Sequence, residues 1–102
     1  MDAQIKKGML EMCILHLIEK ESLYGYDLIQ SLHTFFPEVA ESTFYAILRR
    51  LHREGAAQVF EGPVSKGPVR KYYRITGQGE ERLSQLKKDW NALKRAIEAV
   101  GI

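Results

Sequence analysis

Cysteine occurs once in this chain, at Cys13, so no internal disulfide can form and a reducing, cytoplasmic setting is expected. Tryptophan also occurs once, at Trp90. Long apolar runs are missing: the stretch after Lys6 and Lys7 is broken by Glu11 and His16, too short and polar to span a bilayer and unlike a signal peptide. There is no Gly-rich phosphate loop and no nucleophile motif, and His16, His33 and His52 fall on separate expected helices. Cys13 and His16 have the i, i+3 spacing of two metal ligands, but a site needs three or four and no second cysteine exists. We therefore expect no catalytic residue, no metal, no cofactor and no membrane association, and read Cys13 as a small core residue.

What is present is one small domain's worth of apolar residues. At 102 residues and 45% hydrophobic content the chain can form a modest core that is marginal alone, so help from a partner chain is expected. The net charge of +2 hides a strong asymmetry. Between Ser42 and Arg74 seven basic residues face only Glu54 and Glu61, a local charge of +5 that leaves −3 for the remainder. Basic charge confined to one region is the footprint of a polyanion partner.

The first segment, Gln4 to Glu19, reads as a helix with two apolar stripes. Leu10, Ile14, Leu17 and Ile18 form one; Ile5, Met9, Met12 and His16 form the other, and a domain this small has its own surface for only one of them. Gly25 marks a turn or helix start, and Tyr26 to Phe36 returns to helical spacing until Pro37 stops it.

Ser42 is the expected N-cap of a third helix that ends at Gly55. Phe44, Ile47, Leu48 and Leu51 share its inner face, while Ser42, Ala46, Arg49 and Arg53 lie opposite. That outer face suits a groove lined with acceptors and phosphates, and equally a solvated surface; this helix alone leaves both open. Tyr45 is either a half-buried aromatic or a hydroxyl donor to phosphate, and Arg50 is placed to pair with Glu54 at i+4. Two helices joined by a short turn have the spacing of a helix-turn-helix.

After Gly55 the period changes. Ala57–Glu61 and Val69–Ile75 read as a β-hairpin with a long tip, which makes the whole a winged helix with Lys66 and Arg70 near the wing tip. Thr76 is the expected N-cap of a last helix carrying Leu83, Leu86, Trp90, Leu93, Ile97 and Val100 at alternating spacings of three and four. That seam asks for a lengthwise partner, as does the second stripe of the first helix, Met9 included. A homodimer satisfies both. Two tryptophans across its axis would hold the helices apart, and a flat apolar molecule could stack between them.

Tyr24-Gly25-Tyr26-Asp27-Leu28, Thr43 to Leu51 with Glu54-Gly55, and Gly67 to Thr76 together resemble the PadR family of bacterial transcriptional regulators. The match spans nearly the whole chain, and the one-helix C-terminus is similar to the compact subgroup. The resemblance implies a mainly α fold with a β-hairpin: a winged helix-turn-helix DNA-binding domain, 1–76, and a C-terminal dimerisation helix, 77–102, packing with the first helix. It implies a homodimeric repressor released from a double-stranded DNA operator by a small aromatic effector. Ser42, Thr43, Tyr45, Arg49 and Arg53 would read the major groove, and Lys66, Arg70 and Lys71 would grip the backbone. Paired Trp90 residues would sandwich the effector, with Met12 and Leu86 lining the site and Ile5 and His16 nearby. Two departures are visible: Ala46 stands where many members have proline, and Gly67-Pro68-Val69 leaves the wing tip less basic. The rival reading is a winged-helix interaction module whose basic face meets an acidic partner protein; an enzyme acting on an aromatic compound is more remote.

Overall fold

A computed structural model describes residues 3–62 and 69–102, with side chains from Lys6 onward. The elements run α1 (Ala3–Lys20), β1 (Leu23–Tyr24), α2 (Gly25–Phe35), α3 (Glu41–Arg53), β2 (Ala57–Glu61), β3 (Lys71–Ile75) and α4 (Gly77–Val100). The three strands form one antiparallel sheet in the order β1-β3-β2. Helices dominate, and the expected winged arrangement of a helix-turn-helix followed by a hairpin is present.

The core is built around α1. Its Leu10, Ile14, Leu15 and Ile18 are buried against Leu28, Ile29 and Leu32 of α2, Phe44, Ile47, Leu48 and Leu51 of α3, and Leu83 of α4. Leu15 completes this stripe in place of Leu17, which is only half-buried. The helix is apolar over so wide an arc that spacing alone could not choose between them. Cys13 is likewise half-buried rather than central, and that burial pushes its thiol pKa up, which keeps it protonated and a poor nucleophile.

Helix α3 begins two residues earlier than expected. Its N-cap is Ala40, in extended conformation, and no side chain caps the helix. Ser42 lies inside the first turn and is exposed. The reason is Glu41: a carboxylate is favoured at a helix N-terminus, and its Oε1 accepts a 2.9 Å hydrogen bond from Gln30 Nε2 of α2. Helix α2 also starts earlier, at Gly25, because Leu23 and Tyr24 pair with Tyr73 and Tyr72 of β3. A two-residue strand carries too little alternation to be seen in sequence. The second wing strand is shorter than the seven-residue stretch Val69–Ile75; Arg70 lies outside β3, although its carbonyl still accepts from the Gly62 N–H at 3.0 Å.

The junction between wing and last helix is tight. Thr76 caps α4 as expected: its Oγ1 accepts from the Gly79 N–H at 3.0 Å and donates to the Gly55 carbonyl at 2.6 Å. Gly55 itself, at φ +84°, closes α3 in the left-handed region that favours glycine. Gly79 is needed for a different reason, since a Cβ there would run into the Ala56 carbonyl and lie 2.7 Å from Ile75 Cγ1. A Cβ at neighbouring Gly77 meets nothing within 4 Å. Gly79→Ala should therefore cost about 1–3 kcal/mol through overpacking, with the melting temperature falling about 4–8 °C per kcal/mol in a chain of this size. Gly77→Ala should be neutral or stabilising. Thermal melts followed by circular dichroism separate the two.

Candidate nucleic-acid interface

The inner face of α3 is fixed by Phe44, Ile47, Leu48 and Leu51, all buried, so its outer face is fixed too. Ser42, Thr43, Ala46, Arg49 and Arg53 are exposed together along it. Neither Arg49 nor Arg53 has a carboxylate within ion-pair distance among the described residues. Tyr45 sits on the flank, half-buried against the core. Burial foremost, then the charge of Glu41, raises its pKa, so its hydroxyl stays a donor.

Arg50 is held differently. Its Nη1 donates to Glu54 Oε1 at 3.1 Å, the i+4 pair expected from sequence, while its Nη2 lies 3.6 Å from Glu11 Oε2. Arg82 of α4 joins the same group, with Nη1 donating to Glu54 Oε1 at 2.9 Å and Nη2 lying 2.6 Å from Glu11 Oε1. That last contact is a charge contact without the alignment of a hydrogen bond. Glu11 is buried, so two arginines neutralise it where water cannot. Sequence spacing revealed only the Arg50–Glu54 half. Glu11 and Arg82 are far apart in sequence and each looks like an ordinary helix charge.

On the wing, arginines are seated on aromatic rings. The Arg70 guanidinium lies 4.9 Å from the centre of the Tyr24 ring, and that of Arg74 lies 5.0 Å from the centre of Phe60. The rings form a continuous series: Tyr26 beside Tyr24, Tyr24 beside Tyr72, and Tyr72 stacked on Phe60. Arg74 Nε also donates to Gln58 Oε1 at 2.8 Å, so Arg74 braces the two strands. Lys71 is exposed at the start of β3, opposite Glu61. Lys66 lies outside the described residues.

The far half of α4 is bare. Leu83 is buried and Leu86 half-buried, but Trp90 is 37% exposed, Leu93 52%, Ile97 40% and Val100 77%. Trp90 stands between two apolar hollows. One, of about 550 Å³, is enclosed by Met12, His16, Phe35 and Phe36 with Trp90; the other, of about 280 Å³, by Met9, Met12, Leu86 and Leu93 with Trp90. The expected ligand residues Leu86 and His16 thus lie on opposite sides of the indole, with Met12 reaching both. His16 Nδ1 is buried without a hydrogen-bond partner in the monomer. Ile5 is on the first turns of α1, its side chain outside the described part. Among the described residues no three His, Cys, Asp or Glu side chains converge as a metal site, and no helix is long and apolar enough to cross a membrane.

The Arg82 hydrogen bond, followed by the charges of Arg82 and Arg50, holds the Glu54 carboxyl below the usual carboxylate range. A lowered folded pKa adds stability above the unfolded value, near 4.3 for glutamate, and that stability is lost as pH falls through the lower folded value. Glu54→Gln should therefore flatten the acid limb of the stability profile below about pH 4 and leave its shape near pH 7 unchanged. Urea titrations at stepped pH provide the measurement.

Comparison with known proteins bears on the same surfaces. Residues 14–85 match the Transcriptional regulator PadR-like family. An uncharacterized protein of Lysinibacillus sphaericus is 37% identical over 101 residues, covering 94% of this chain and 91% of its own. The crystal structure of a Streptococcus transcriptional regulator is 32% identical and superposes with a TM-score of 0.88, covering 99% of this chain and all of its own. That of a PadR-like transcriptional regulator from Bacillus cereus is 36% identical with a TM-score of 0.84, covering 96% of each chain.

Proposed function

The chain belongs to the PadR-like family of transcriptional regulators, which are DNA-binding proteins and not enzymes, and from that premise we propose that it is a cytoplasmic homodimeric repressor whose operator affinity is lowered by a flat aromatic molecule. The observation that carries the DNA part is the outer face of α3. Small side chains at Ser42, Thr43 and Ala46 let the helix approach base edges closely, and Arg49 and Arg53 extend from the same face with no acidic partner among the described residues. Tyr45 donates to phosphate from the flank. Arg70, held over Tyr24, meets the backbone with Lys71 and Lys66 of the wing.

In this reading residues 1–76 are the DNA-binding unit and 77–102 the dimerisation helix lying on α1. The bare α4 seam supports dimerisation, since four large apolar side chains from Trp90 onward would otherwise face water. Met9, Leu83 and Leu86 continue that surface. The effector lies against Trp90 with Met12, Leu86, His16 and Ile5 around it, and His16 Nδ1 supplies an unspent polar atom for it. Coupling follows from covalent and ionic continuity. A molecule wedged at Trp90 changes the crossing of the paired α4 helices, and Arg82, on the same helix, is bonded to Glu54 at the end of α3. The distance between two α3 helices on one DNA face then changes, and so does their fit to successive major grooves.

Two measurements test this. Arg49→Ala should cost about 1–3 kcal/mol on the upstream DNA of its own gene and relax base preference; equal weak binding to all duplexes, unaffected by the change, would refute the regulator, and retention of an acidic protein instead of DNA would favour the interaction-module reading. A planar aromatic compound without affinity of its own for duplex DNA should quench Trp90 fluorescence and release DNA from a species that sediments as a dimer. Trp90→Ala should abolish the release, read on a variant that sedimentation shows is still a dimer, because Trp90 belongs to the seam as well as to the effector site.

A further inference from the structure

Positive charge on this face is not confined to α3 and the wing, because the fold brings α1 against it. Lys7 lines one hollow of about 350 Å³ together with Ala46, Ile47, Arg49, Arg50 and Arg53. Just beyond it, an adjoining hollow is bordered by Lys6, Lys7, Glu38, Ser42 and Thr43. The N-terminal turns of α1 therefore run beside the outer face of α3 and continue its polar surface.

The charge balance of that hollow is incomplete. Lys7 would ordinarily find a partner four residues on, at Glu11, the usual helical ion pair. Glu11 is instead turned towards Arg82 and Arg50. Glu54, beyond the end of α3, is taken by the same two arginines, and Glu38, on the adjoining hollow, lies outside ion-pair distance of Lys7. Arg50 thus brings its own counter-charge, whereas Lys7, Arg49 and Arg53 have no carboxylate in ion-pair range among the described residues. Three cations gathered around one concavity repel one another and raise the local positive potential, and an anion entering it relieves that cost.

We propose that Lys7, at the α1 edge of the hollow it shares with Arg49 and Arg53, is a phosphate-binding subsite whose occupant is a backbone phosphate of the duplex whose major groove holds α3, leaving the two arginines to the groove itself. This rests on the DNA-binding reading above and extends it to an element outside the helix-turn-helix and wing. The geometry fits the docking: a helix lying in the groove has a phosphate ridge along its side, and the neighbouring helix meets that ridge. Lys7 is exposed, carries a single flexible charge and makes no contact with bases in this placement, so it adds affinity and fixes register without reading sequence.

The test is a salt titration with the full-length protein and Lys7→Gln, Lys7→Arg and wild type, on two duplexes of equal length, the upstream DNA of its own gene and a scrambled sequence. Matching circular dichroism and melting curves establish that each variant folds. Lys7→Gln should lower the magnitude of the slope of log affinity against log salt by about 0.9 for each Lys7 engaged. It should weaken both duplexes alike, by roughly tenfold per contact near 0.1 M salt, and Lys7→Arg should restore the wild-type slope. An unchanged slope with Lys7→Gln, or a loss confined to the native duplex, overturns the subsite. If wild type retains neither duplex, the regulator reading fails and takes the subsite with it; if wild type binds and only the slope prediction fails, the subsite alone is wrong.

Discussion

The Glu11 carboxylate is the point at which three helices are tied together. It is buried on α1, and its charge is tolerable there only because Arg50 of α3 and Arg82 of α4 face it from two sides. Those arginines then share Glu54 at the end of α3, which closes a four-membered ring of alternating charge. Apolar packing could accept a range of angles between α1, α3 and α4, because a hydrophobic contact has no preferred direction. The two hydrogen bonds to Glu54 and the two charge contacts to the buried Glu11 are directional and local, so the ring narrows how the outward face of α3 stands relative to α4.

A second constraint acts on α4. Its start is locked, with Thr76 bonded to both Gly79 and Gly55, and Gly79 pressed on the Ala56 carbonyl. Leu83 enters the core, and beyond Leu86 the helix leaves it. One end of the rod is anchored to α3 and the wing, then, and the other stands exposed, with no loop between Trp90 and the anchored end. This is the mechanical condition for a regulator in which an apolar event at one end alters a polar fit at the other.

How much of this was legible in the sequence depended on the range of the interaction that decides each feature. The helices α1 to α4, the wing and the Thr76 cap are written in local spacing, and they are present. The inner and outer faces of α3 followed from a period of 3.6 with one strongly apolar side. Local signals failed where a distant partner decides. Ser42 looked like a cap because nothing near it hints that Gln30 holds Glu41. Two residues at β1 form a strand only because β3 offers them an edge. Arg70 and Arg74 were visible as charges, but the Tyr24 and Phe60 rings under them were not. Glu11 and Lys7 sat among the ordinary polar residues of an otherwise apolar helix, and only the fold shows that Glu11 faces Arg50 and Arg82 and that Lys7 has no carboxylate in ion-pair range among the described residues.

The way α1 and α4 meet also bears on how the molecule is made. Ile14 and Leu15 emerge from the ribosome early, yet the helix that carries Leu83 and Arg82 to the core and to Glu11 is the last to appear. Until then the Glu11 carboxylate has only Arg50 of α3 to face it. The contribution of Leu83 to the core is therefore a late, long-range event. A polypeptide cut short before α4 would lack Leu83 and leave that part of the α1 face open to chaperones and proteases, although it would still carry α3 and the wing.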